Sequence, residues 1–199
     1  MTDTLQRPAA IDRSVPAILE AAEIVIARLG HEQLSLAQIA RVSLIPLARI
    51  YQYFADRNAV LGALSARELT RLSRAIDTRG SWSSELAADG RIDRVIERFA
   101  GFLENTSAAY LVLCGPFDEA SAEPRLDAVH RLGLALLHAL GGAATDGHPY
   151  RTSEALDYAS ELVFACLRRS FQLDGRITAT AVEMAQHAVR SFVADAATE

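Results

Sequence analysis

Between Leu34 and Leu61 the chain reads LSLAQIARVSLIPLARIYQYFADRNAVL, and this stretch holds its most specific chemistry. Arg49 carries a planar guanidinium whose paired N–H donors match the two acceptors on the major-groove edge of guanine. Leu47 and Ala48, just before it, offer the apolar surface that meets a thymine methyl. Gln52 is expected on the same outward face. Ser35 stands at a helix start, where a hydroxyl and the neighbouring backbone amides can receive a phosphate. Arg41 adds a cation one helix earlier. Side chains of these types in one short run suit a nucleic acid duplex, with some groups for the backbone and others for base edges.

Four elements must hold these groups in place. A first helix is expected from about Val15 to Leu29, where Val15, Ile18, Ala22, Val25, Ile26 and Leu29 recur at helical spacing before Gly30. Ser35 opens the second helix: its oxygen can accept from an orphan backbone N–H while Gln38 reaches back, a capping box, with Leu34 and Ile39 as the hydrophobic staple. That helix ends near Val42. A third begins around Pro46, where a missing N–H suits a first helical turn, and runs to about Tyr53. Asp56 caps a fourth, which carries Val60, Leu61, Leu64, Leu72 and Ile76 and stops near Gly80. Two short helices across a tight turn, the first bracing and the second presented outward, form a helix-turn-helix.

The remainder is also helical in pattern. Gly80 to Gly90 reads as loop, followed by a helix with the stripe Ile92, Val95, Ile96, Phe99, Phe102 and Leu103. A short helix from about Ser107 to Cys114 is stopped by Gly115-Pro116. Pro124 opens the next, which ends at Gly141-Gly142. After a linker at 143–151, two helices run from about Ser153 to Leu173 and from Thr180 to Ala194, the latter with a Thr180/Glu183 capping box. No alternating strand pattern and no repeat interrupts this. The fold class is all-α, with about nine helices.

Composition narrows the function. Half of the 199 residues are hydrophobic and 23% are charged, as in a globular protein with a proper core. All 20 basic residues are Arg, which together with abundant Ala reads as codon bias. The net charge of −5 is unevenly spread: residues 1–80 hold ten Arg against eight carboxylates, and residues 81–199 ten against seventeen. A slightly basic end before an acidic remainder fits a duplex-facing end, with salt-sensitive binding. Cys114 and Cys166 have no metal-ligand or disulfide spacing and read as free thiols. His130 and His138 lie eight residues apart, off a common helical face, so no metal is expected there. No signal peptide or apolar run of about 20 residues is visible, and the protein is expected to be cytoplasmic. Esterase, zinc-protease, phosphate-loop and dinucleotide motifs are all missing, so no enzyme and no cofactor is expected.

The run Ile39-Ala40, then Ser43-Leu44-Ile45-Pro46-Leu47-Ala48-Arg49-Ile50-Tyr51-Gln52-Tyr53-Phe54, with Arg57 and Leu61, resembles the DNA-binding region of the TetR/AcrR family of bacterial transcriptional regulators. The upstream helix with Ala21, Ala22 and Gly30 fits as well, and the resemblance covers about residues 14–64. Three positions depart from the family pattern. Leu44 replaces the turn glycine, Pro46 the serine before the third helix, and Arg57 the usual lysine. The resemblance implies that Tyr51, Tyr53 and Arg57 bond the phosphate backbone. Read from the residues alone, the two tyrosines could instead be core aromatics, as Phe54 is expected to be.

The same resemblance implies a flexible arm at 1–13 and a DNA-binding domain at 14–57. A ligand-binding and dimerisation domain would follow at 58–199, the helix at about 57–79 connecting the two. It also implies a pocket for a small, largely apolar effector. Candidate lining residues are Trp82, Phe99, Phe102, Leu103, Tyr110 and Cys114, then Phe117, His130, Leu134, His138 and Phe164, although an aromatic stripe of this kind is also ordinary core. A homodimer through the last two helices would use Leu162, Cys166, Val182, Val189, Phe192 and Val193. The implied protein is a ligand-responsive regulator of double-stranded operator DNA, a repressor. The alternative is a scaffold of the same fold that binds a partner or ligand and has weak or lost operator binding.

Overall fold

The computed structural model describes residues 13–76, 87–115, 119–141 and 152–194. The described residues contain nine α-helices and one short 3-10 turn, with no strand. They divide into two compact units, with the boundary between Val60 and Leu61.

The first unit contains α1 (Ser14–Leu29), the 3-10 turn His31–Gln33, α2 (Leu36–Ser43), α3 (Leu47–Ile50) and the start of α4 (Arg57–Ala75). Helix α1 packs on α2, and α2 on α3. Their shared core is Ile18, Ala22, Val25, Ile39, Ile50 and Phe54, all buried. Ser35 caps α2 as its spacing predicts: its oxygen accepts from the Gln38 amide at 3.3 Å. The return arm differs, because the Ser35 hydroxyl donates to Gln38 Oε1 at 2.8 Å instead of Gln38 reaching the Ser35 backbone. The staple pair Leu34 and Ile39 is buried.

The turn after α2 closes through Leu44, whose φ of 58° and ψ of 17° are left-handed. A leucine there costs about 1 kcal/mol or more relative to a relaxed backbone. Ser43 Oγ steadies the turn by accepting from the Ile45 amide at 3.2 Å. Pro46 is the N-cap of α3 with an extended ψ of 135°, not its first helical residue. Either position tolerates a missing N–H. Here the Pro46 carbonyl receives the first helical bonds, from Arg49 at 2.8 Å and Ile50 at 3.2 Å. After Ile50 the bonding mixes α and 3-10 spacing and continues to Phe54. Asp56 Oδ1 then accepts from the Ala59 amide at 2.9 Å at the start of α4, the cap its position predicts.

The second unit holds the rest of α4 with α5 (Ala88–Glu104), α6 (Ala109–Cys114), α7 (Glu119–Ala139), α8 (Ser153–Asp174) and α9 (Ala179–Ala194). Helix α8 is its spine, packed on α6, α7 and α9, while α5 packs on α7 and α9. Gly133 lets α7 and α8 approach: a Cβ there would meet the Asp157 side chain and the Leu156 backbone. Asp157 turns to His130, 3.2 Å away. Glu68 of α4, nearly fully buried, is held by Arg71 at 2.8 Å and Arg67 at 3.1 Å. A buried carboxylate without such donors would be strongly destabilising.

The starts of α7 and α9 differ from the sequence reading, while α8 begins at Ser153 as expected. Helix α7 begins at Glu119 and carries Pro124 inside it, at the loss of one backbone bond. Thr178, not Thr180, caps α9, accepting from the Ala181 amide at 3.3 Å, and Ser170 ties it back to α8 at 3.0 Å. Thr152 caps α8 through the Ala155 amide at 3.1 Å. At its far end, Gly175 closes α8 in the left-handed region, where glycine is unstrained.

Candidate nucleic-acid interface

The outward surface of the first unit is built from the end of α2, the turn and α3. Arg41, Leu44, Pro46, Leu47, Ala48, Arg49, Tyr51 and Gln52 are all exposed, while Ile50 and Phe54 anchor the segment inward. Burial of those two orients the segment, and Leu47, Ala48, Arg49, Tyr51 and Gln52 face out. From Gln33 to Ala55 there are two Arg and not one carboxylate. The surface therefore suits a polyanion, although the chain as a whole is acidic.

Arg49 is held, not loose. Its Nε donates to Ser14 Oγ and a terminal nitrogen donates to the Tyr53 hydroxyl, both at 3.2 Å. The guanidinium also lies 5.9 Å from the Tyr53 ring centroid. Both partners are hydroxyls at the surface, so exchanging them for base acceptors costs little. Ser14 has no signal in the sequence, because it lies 35 residues from Arg49 and the fold alone brings them together. Tyr51 is 55% exposed and is no core aromatic. Tyr53 is half-buried, with its hydroxyl at the Arg49 surface.

Arg57 stands at the start of α4 and is half-buried. One terminal nitrogen donates to the His31 carbonyl at 2.9 Å, and its Nε is buried. This pins the start of α4 to the 3-10 turn and takes that edge of the guanidinium away from the outward surface. Ser35 is half-buried and already occupied by its cap, so a phosphate there would share it.

In the second unit, Phe99, Leu103 and Phe164 lie in the packed core, and Phe99 meets Phe164 edge to face with centroids 4.9 Å apart. Phe102 and Cys114 pack half-buried against it, Tyr110, Leu134 and His138 are half-buried, and His130 is exposed. Trp82 and Phe117 lie outside the described residues. Arg125 sits over the Phe164 ring at 4.9 Å, with Glu161 at 3.5 Å. Burial pushes this guanidinium below its ordinary range; Glu161 opposes the shift and Arg168 adds to it. Both cysteines are free and half-buried, and burial pushes both thiols up. Among the described residues, no group of His, Cys, Asp and Glu is gathered as for a metal ion.

The dimer candidates separate into two sets. Val189 and Val193 are buried in this chain's own core and have no surface to offer a second copy. The apolar stripe that marked them faces α5 and α8 instead. Leu162 is exposed, and Cys166, Val182 and Phe192 are half-buried. The exposed Tyr158 and Leu173 share a face of α8 with Leu162 and Cys166, by their spacing of four and seven residues. No helix among the described residues is long and apolar enough to cross a membrane.

This succession of helices matches solved proteins over nearly their whole length. A TetR-family transcriptional regulator from Streptomyces coelicolor superposes with a TM-score of 0.66 at 18% identity, over 91% of this chain and 95% of that one. The chain has the fold of TetR-family regulators. A TetR transcriptional regulator from Rhodococcus sp. RHA1 shares the fold with a TM-score of 0.67 at 16% identity, covering 94% and 98% of the two chains. So does the transcriptional regulator FadR from Bacillus subtilis, solved in complex with stearoyl-CoA, with a TM-score of 0.57 at 15% identity over 90% and 97%. No protein-family model matches the chain, and no curated sequence is significantly similar to it.

Proposed function

We propose that the protein is a ligand-responsive transcriptional regulator, a homodimeric repressor of double-stranded operator DNA. The supporting observation is the outward face from Leu47 to Gln52: a buried-residue frame presents a guanidinium, an amide and two apolar side chains, on a segment free of carboxylates. A four-residue helix reads few base pairs, so two copies related by a two-fold axis are needed to specify a site. The exposed α8 stripe of Tyr158, Leu162 and Leu173 is the surface on which a second copy would pack.

The effector in this reading is a small, largely apolar molecule bound in the second unit. The FadR neighbour was solved with stearoyl-CoA, whose acyl chain is apolar although its CoA head group is large and charged. Arg125, beside the aromatic core, would suit the acidic end of such a molecule. Effector binding lowers operator affinity only through a preference for one of two states, and the coupling is reciprocal. A reporter driven by the protein's own promoter should rise several-fold when the gene is deleted. Unchanged output would contradict repression.

A further inference from the structure

Leu44 is strained and solvated at once. It is the one non-glycine residue with positive φ among the described residues, and at 88% exposure it contributes nothing to the core. The Ser43–Ile45 bond helps hold the turn in this shape, with the Leu44 side chain outward. It continues the exposed apolar surface of Pro46, Leu47 and Ala48, between Arg41 and Arg49. Backbone strain of this kind clusters at functional sites. The flanking cations and the lack of carboxylates favour a polyanion over an apolar protein surface as the occupant.

We propose that Leu44 is a specificity-determining residue whose side chain packs on the methyl group of a thymine in each half-site; this rests on the DNA-binding reading above. The methyl is the apolar feature that major-groove thymine presents. The test compares the wild type, Leu44→Gly and Leu44→Ala on the duplex that the wild type selects from a random pool. Each thymine is replaced in turn by deoxyuridine, which removes only the methyl. At one thymine per half-site the wild type should lose about fourfold in affinity, the worth of one buried methyl, and both variants should lose nothing. Leu44→Gly should also unfold at a higher temperature than the wild type, because the strain is relieved. Leu44→Ala keeps the strained backbone and removes the contact, so agreement between the two variants assigns the effect to the side chain. If deoxyuridine costs wild type and variants the same at every position, Leu44 reads no methyl while DNA binding stands. If the wild type selects no duplex, both readings fall together.

Discussion

Replacing Arg49 with alanine should weaken binding to the selected duplex by about 1–3 kcal/mol and flatten the preference at one base pair. The size follows from the chemistry of a guanidinium bonded in two places to guanine, which no other side chain of α3 reproduces. Stability should hardly move. The bonds from Arg49 to Ser14 and Tyr53 are exposed, and surface contacts of that kind are worth about 0.5 kcal/mol or less. Lysine at this position keeps the charge but loses the fork, so it should restore the phosphate-driven, salt-sensitive part of binding and not the base preference. The measurement is affinity for a panel of duplexes altered one base pair at a time. Unaltered preference in the alanine variant would remove Arg49 from base reading.

The second large effect is on stability. Phe164→Ala should destabilise the protein by about 3–5 kcal/mol, read from chemical denaturation. The ring is almost fully buried, meets Phe99 edge to face, and carries Arg125 on its other contact. Its loss leaves a cavity and removes the ring face beneath the Arg125 guanidinium, and single domains are stable by only about 5–15 kcal/mol in all. Phe164→Leu, which retains most of the volume, should cost clearly less. A loss below about 1 kcal/mol for the alanine variant would show that the ring lines open space rather than packed core.

The two predictions separate what was legible in the sequence from what was not. Signals that act within one turn of helix were readable. Ser35 caps α2, Leu34 and Ile39 are both buried, and Asp56 caps α4, as their spacing implies. Local signals shared by two registers were not. Pro46 suits either the N-cap or the first helical turn, and Thr178 and Thr180 are equally good caps two residues apart. Only the packing of Ile50 and the Ser170 bond choose between them. Pro124 was read as a helix start because proline favours one, but the helix tolerates it one turn in.

Partners distant in sequence were invisible. Nothing near Arg49 announces Ser14, and nothing near Arg57 announces the His31 carbonyl. An apolar stripe states that a face is buried but not against what. Val189 and Val193 therefore read as a surface for a second copy, while the fold spends them on its own core. Leu44 reads first as a misfit in a turn that favours glycine, and its exposure turns the misfit into a candidate reader.

The most direct measurement is selection of duplexes by the purified full chain from a random pool, followed by titration of the enriched duplex at several salt concentrations. The expected result is an inverted repeat with half-sites a helical turn or more apart, bound by two copies, with affinity that falls as salt rises. A pool left unenriched at low ionic strength would contradict the assignment of the Leu47–Gln52 face to DNA.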